Sequence, residues 1–144
     1  MGEGLRFITV DDPAYAGELE LRYRVLREPL GMARADVPFP FERESLHLVA
    51  ERGAQVVGCV LFHPESATTG RLFQMAVRAD DRRSGLGRQL VATLEVELRR
   101  RGFRDVHLHA RADVVPFYER LGYAPYGAPF VEIGIAHRRM RKTL

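Results

Sequence analysis

A single cysteine, Cys59, is all the thiol chemistry that 144 residues contain. It excludes an intrachain disulfide and any multi-cysteine zinc site, and it fits a reducing compartment. Long apolar runs are missing as well. The longest, residues 56–62, is interrupted by Gly58 and falls far short of the roughly 20 residues that a membrane-spanning helix needs. The first residues carry no basic-then-apolar leader pattern, so a cytoplasmic location is expected, with no membrane partner. His47, His63 and His107 stand too far apart for metal-ligand spacing, and no metal site is expected. There is no internal repeat and no low-complexity segment. The net charge of +3 is only a mild bias toward anionic ligands. The arginines gather at 82–88, 99–104 and 138–141 rather than in one block, which points to a phosphate site and against a nucleic-acid partner.

What is present suffices for a core. With 46% apolar residues the chain reads as one globular domain over residues 1–144, without a linker. Its organising stretch is residues 71–102. An apolar run (Leu72, Phe73, Met75, Ala76, Val77) meets a basic, glycine-containing turn and then a long amphipathic helix. That order builds an anion site. Backbone N–H groups in a helix's first turn lack intrahelical partners and sit at the positive end of its dipole, so they can hold a pyrophosphate. Gly85 and Gly87 leave room for a phosphate to reach the backbone, and Arg82, Arg83 and Arg88 ring the point with fork-shaped donors. The duller reading of the two glycines is a plain helix start. Leu86, Leu90, Leu94 and Leu98 mark the buried stripe of the helix; Glu95 with Arg99 and Glu97 with Arg101 read as pairs on its wetter side. Gly102 ends it.

Earlier in the chain, residues 5–10 read as a strand, and Asp11 or Asp12 before Pro13 reads as the cap of a helix running to about Arg27. Residues 32–45 have no clear period and read as a loop or short helical turns of the kind that lines a site. Residues 47–51 and 55–63 form a hairpin that leads to the 71–77 strand. After the long helix, residues 105–110 alternate as a strand that should lie parallel to 71–77 through a right-handed crossover. Residues 113–121 read as a short helix. Residues 123–126 and 131–140 read as final strands joined by Gly127-Ala128-Pro129.

Two local motifs in this order resemble those of the GNAT superfamily of acetyl-CoA-dependent N-acetyltransferases. Arg82-Arg83-Ser84-Gly85-Leu86-Gly87 matches the family's Gln/Arg-x-x-Gly-x-Gly/Ala phosphate motif, and Phe117-Tyr118-Glu119-Arg120-Leu121-Gly122-Tyr123 resembles its second signature. In element order the resemblance covers about residues 5–140. It implies an α/β fold: a mixed, mostly antiparallel sheet of six to seven strands flanked by about four helices, with splayed parallel strands forming a cofactor cleft. Acetyl-CoA is the implied cofactor, its pantetheine arm paired with the backbone of Met75, Ala76 and Val77, and its diphosphate held at Arg82, Arg83, Ser84, Gly85, Leu86, Gly87 and Arg88. Where the family often carries a cofactor-touching Asn, this chain has Arg111, which could meet a phosphate or carboxylate.

The implied activity is direct acetyl transfer to a primary amine, with the Tyr118 hydroxyl as the acid for the departing thiolate; the rival reading of Tyr118 is a core aromatic. A backbone N–H at Met75 or Val77 could polarise the thioester carbonyl. For the base, Glu44, His109, Glu132, His137 and a water chain all stand as candidates, with Glu132 and His137 favoured because the last strands should border the acceptor entrance. Cys59, among Val and Leu, reads as a small buried hydrophobe. The acceptor is a small-molecule or peptide amine of unidentified kind, chosen by residues 30–45 and the last two strands, and a homodimer is common in the family. The competing functions are a non-catalytic acyl-CoA-binding module and a nucleotide binder. The nucleotide binder is disfavoured because Gly85-Leu86-Gly87-Arg88-Gln89-Leu90 breaks the dinucleotide fingerprint and the glycine-lysine pair of a P-loop is absent.

Overall fold

Alternation and turn chemistry give the sheet, and the computed structural model describes it over residues 3–144. Seven strands lie in the order β1-β2-β3-β4-β5-β7-β6: β1 (Glu3–Ile8), β2 (Leu46–Arg52), β3 (Gln55–Pro64), β4 (Thr69–Val77), β5 (Asp105–Arg111), β6 (Ala124–Glu132) and β7 (Ile135–Thr143). Every neighbouring pair is antiparallel except β4 and β5, which are parallel because α2 (Leu86–Arg100) crosses between them. With α1 (Ala14–Arg22) and α3 (Val115–Arg120) this makes three α-helices among the described residues. The fourth expected from the sequence is replaced by a π-helical turn, Tyr23–Arg27, and single 3₁₀ turns. Among the described residues no helix is long and apolar enough to cross a membrane.

Each sheet face has its own core. The four-residue leucine stripe of α2 presses Leu86, Leu90, Leu94 and Leu98, all 1% exposed or less, against Leu48, Phe62, Leu72 and Leu108. Full burial of each such side chain contributes about 1.5–3 kcal/mol, which is what fixes α2 and hence its N-terminus. On the opposite face Leu21 of α1 packs with Val49, Cys59, Leu61 and Phe73. The Asp12 carboxylate caps α1 by accepting the Ala14 N–H at 2.8 Å, as the Asp-Pro sequence predicts.

Three local readings need correction. The last hairpin does not turn at Gly127-Ala128-Pro129. Those residues form an irregularity inside β6, and the chain reverses at Ile133 and Gly134, which take φ of 47° and 74°. Two successive left-handed residues match the twist of a tight hairpin, a geometry that outweighs turn composition. The helix expected to reach Arg27 changes at Tyr23 into the wider π form. Glu95, assigned to the wetter side of α2, is buried: it accepts the Tyr123 hydroxyl and the Lys142 ammonium, each at 2.8 Å.

Candidate active site

The cleft begins where the parallel pair separates. β4 and β5 are in register only over residues 69–71 and 105–107. Beyond that, β4 bulges: Gln74 and Met75 together face one residue of β3, and Gln74 takes φ of 52°. β5 meanwhile stays paired with β7 as far as Arg111. The Arg78 N–H donates to the Val57 carbonyl of β3 at 2.9 Å. Successive strand amides point opposite ways, so the Val77 and Met75 amides face the gap, where the Val77 carbonyl receives Arg82 Nε at 3.3 Å. A cleft of about 920 Å³ results, with Met75, Ala76 and Val77 on one wall and residues 108–111 on the other. Its open strand edge can take an extended chain that carries amides.

The gap leads to the start of α2. Arg83 and Gly85 have φ of 67° and 85°, so the turn curls its amides together, and Gly85 suits a conformation that costs other residues strain. Asp81 anchors the turn through ion pairs with Arg52 and with Arg78, the latter at 2.8 Å. Arg82, Arg83 and Arg88 are exposed and have no ion-pair partner among the described residues; with Gly85, Leu86 and Gly87 they line the cleft. The Ser84 hydroxyl instead donates to the Asp81 carbonyl at 2.5 Å, away from the cleft wall. A Cβ on Gly85 would meet nothing nearer than the Arg88 guanidinium at 3.6 Å, whereas one on Gly87 would come within 3.3 Å of the Phe117 ring. Room at the first glycine and helix packing at the second fit a diphosphate against this turn, and the free edge of β4 fits a pantetheine arm.

α3 begins with Pro116 in its first turn and carries Tyr118 into the cleft wall beside α2. Tyr118 is 6% exposed and packs edge-on to Phe117 and Tyr123. Burial alone pushes its phenol above its ordinary value, so the proton stays on at neutral pH.

The far end of the cleft gathers three of the four side-chain candidates for the base. His109, Glu132 and His137 line it, while Glu44 is exposed elsewhere. His109 Nδ1 lies 3.1 Å from the Glu132 carboxylate and 3.4 Å from the Arg71 guanidinium; the nearer carboxylate favours the tautomer with the hydrogen on Nδ1, which leaves Nε2 as the acceptor. Burial, and then the Arg71 charge, push His109 below its ordinary value, so the ring is neutral at neutral pH. His137 donates Nδ1–H to the Ile135 carbonyl at 2.7 Å. At the end of β5, Arg111 donates to the Leu26 carbonyl at 3.3 Å, across the mouth of the cleft.

Behind the bulge lies a cluster that the sequence did not reveal. Arg22, fully buried, donates to Glu18 at 2.8 Å, to both oxygens of Glu42 at 2.8 and 2.7 Å, and through Nε to the Gln74 side-chain oxygen at 3.3 Å. His47 faces acceptors on both ring nitrogens, Glu18 at 3.0 Å and the Glu42 carbonyl at 2.7 Å, which only an imidazolium satisfies. Burial opposes that charge, but the Glu18 carboxylate prevails and His47 is held above its ordinary value. Glu18, Glu42 and His47 bring ligand-type atoms within 4.8 Å of one another, and Arg22 supplies the counter-charge between the two carboxylates. The one readable signal was the four-residue spacing of Glu18 and Arg22. Glu42, from the irregular segment 32–45, is consumed here. Cys59 touches the same region, its Sγ donating to the Gln74 carbonyl at 3.4 Å, and burial pushes the thiol up, which makes it a poor nucleophile.

Comparison with known proteins agrees with this geometry. The family model of the acetyltransferase (GNAT) domain matches residues 32–144. An uncharacterized acetyltransferase of Streptococcus pyogenes is 30% identical over 103 residues, covering 72% of this chain and 70% of that relative. Among solved structures, ElaA of Escherichia coli has a TM-score of 0.84 at 18% identity, over 97% of this chain and 99% of its own. A GNAT family acetyltransferase of Elizabethkingia anophelis with acetyl-CoA bound has a TM-score of 0.73 at 14% identity, over 99% of each chain. At such identities these two structures share the fold.

Proposed function

The chain belongs to the GNAT family of acetyltransferases, and from that premise we propose that it transfers the acetyl group of acetyl-CoA directly to a primary amine. The observation that carries the reading is the junction of a free strand edge, an arginine-ringed helix start and a buried tyrosine in one cleft. Acetyl-CoA supplies a thioester, an acyl carbon already activated toward amines.

The chain's own residues do the rest. Arg82, Arg83 and Arg88, with the amides of residues 83–87, hold the diphosphate. Met75 and Val77 pair their backbones with the pantetheine arm, and a Met75 or Val77 N–H polarises the acyl oxygen. His109 takes a proton from the amine at Nε2, and Glu132 keeps Nδ1–H oriented. Tyr118 gives its proton to the departing sulfur. Burial keeps the proton on the phenol until it is needed, and the same desolvated wall disfavours a bare thiolate, so the proton moves as the carbon–sulfur bond breaks. Arg111 guards the junction between the cofactor side and the acceptor side. The fold relative from Elizabethkingia anophelis with acetyl-CoA bound supports this choice of cofactor.

The test is thiol release from acetyl-CoA with a panel of polyamines, amino sugars, amino acids and peptide N-termini, beside a calorimetric measurement of acetyl-CoA binding. Release of CoA matched by an N-acetylated product is expected for at least one class. Tight acetyl-CoA binding with no transfer to any amine would make the chain an acyl-CoA-binding module instead.

A further inference from the structure

Most arginines outside the diphosphate turn have a carboxylate partner. Arg6, Arg22, Arg24, Arg34, Arg43, Arg78, Arg100 and Arg101 each lie within 3.1 Å of an Asp or Glu oxygen. Four arginines that line the cleft away from that turn, Arg27, Arg71, Arg111 and Arg120, form no ion pair among the described residues, and of these Arg27 and Arg111 stand together. Arg27, 8% exposed, donates Nη1 to the Leu26 carbonyl at 3.2 Å, and Arg111 donates Nη2 to the same oxygen at 3.3 Å. Both guanidinium groups therefore converge on one carbonyl and stand side by side. Neither has a carboxylate within ion-pair distance among the described residues. Arg27 Nε is in addition shut off from solvent with no hydrogen-bond partner.

Asp113 lines the same cleft but forms no ion pair with either arginine among the described residues, and Asp36 and Glu132, whose charges reach Arg27, have partners of their own. Asp36 accepts the Ala33 amide at 2.9 Å, and Glu132 is engaged by His109 at 3.1 Å. Burial, and then the charges of Arg111 and Arg22, push the Arg27 pKa down against the weaker opposing pull of Asp36 and Glu132, the mark of a cation that is incompletely compensated. Two adjacent unneutralised cations in a half-desolvated wall are costly alone, and an anion between them removes the cost. The diphosphate of the cofactor has its own arginines at the start of α2. The anion that belongs here enters with the other substrate, on the side of the cleft that holds His109 and Glu132.

Resting on the acetyl-transfer reading, we propose that Arg27 and Arg111 form a carboxylate clamp, so that the acceptor is an amino carboxylate: a small molecule bearing both the amine and a carboxylate, as amino acids do. The clamp fixes the carboxylate while His109 meets the amine at the other end.

The experiment pairs a set of amino acids with their carboxamides as acceptors, followed by thiol release. It is joined by calorimetry of the corresponding N-acetyl amino acids and N-acetyl amino amides on the CoA-loaded protein. The carboxylates should exceed their amides by about tenfold or more in kcat/KM, because an amide leaves the two cations unpaired. In Arg27→Gln that preference should fall to within about threefold through a higher KM for the carboxylate, with acetyl-CoA affinity unchanged as the sign of an intact fold; Arg27→Lys, which keeps the charge and loses the fork, should fall between. Amides accepted as well as carboxylates, or a preference that survives Arg27→Gln, would overturn the clamp while leaving acetyl transfer standing. Binding of N-acetyl amino acids but not their amides, with no transfer at all, would keep the clamp and remove the transfer. Failure of every carboxylate to bind or react would end the proposal.

Discussion

Removing the Arg22 charge tests whether the buried cluster holds up the bulged strand. Arg22→Met keeps most of the side chain's length and deletes a guanidinium that is 0% exposed and donates to Glu18, Glu42, the Val37 carbonyl and Gln74. Two carboxylates would then face one imidazolium, leaving a buried negative charge in excess. Breaking a buried pair from one side costs about 3–5 kcal/mol, because the remaining charge is stranded. At about 3 °C per kcal/mol for a chain of this size, the thermal midpoint should fall by about 10–15 °C. Urea unfolding at unchanged m-value measures the loss. The double variant Arg22→Met with Glu42→Gln restores the charge count, so it should be more stable than the sum of the single losses by about 2 kcal/mol. Single losses below about 1 kcal/mol that simply add would refute the cluster's role.

Other outcomes follow from the same geometry. A Cβ on Gly70 would stand 2.2 Å from the Phe62 ring and 2.6 Å from the His63 carbonyl, so Gly70→Ala should cost about 2 kcal/mol or more in urea melts, whereas Gly4→Ala, which meets nothing within 4 Å, should stay within about 0.5 kcal/mol. Because His47 is held above its ordinary value of 6.5, its contribution is complete below that pH and is lost as pH rises through the folded value. Stability should therefore decline above about pH 6.5, and His47→Gln should flatten the decline; an identical pH profile in the variant would exclude this origin.

How far the sequence spoke for itself depended on range. Residues 82–102 were legible because helix period, glycine positions and arginine spacing are all local, and the leucine stripe has one packing solution. The splayed strands followed from element order and family resemblance. The Gly127-Ala128-Pro129 turn failed because its composition outshone Ile133-Gly134, whose reversal depends on strand pairing rather than on residue type. Charged helix residues were the least readable. Glu18, Arg22 and Glu95 look like solvated surface in sequence, and only the tertiary neighbours Glu42, His47, Tyr123 and Lys142 make their burial affordable. Arg27 was hidden for a related reason: the π-helical turn that carries it breaks the period on which its assignment to a helix face rests.

In the proposed mechanism the Tyr118 phenol serves the departing sulfur rather than the core. Single-turnover acetyl transfer by Tyr118→Phe, set against the calorimetric Kd for acetyl-CoA, tests it most directly. The rate should fall at least about tenfold with Kd essentially unchanged, since only the hydroxyl is lost from a ring that packs on Phe117 and Tyr123. An unchanged rate would contradict it.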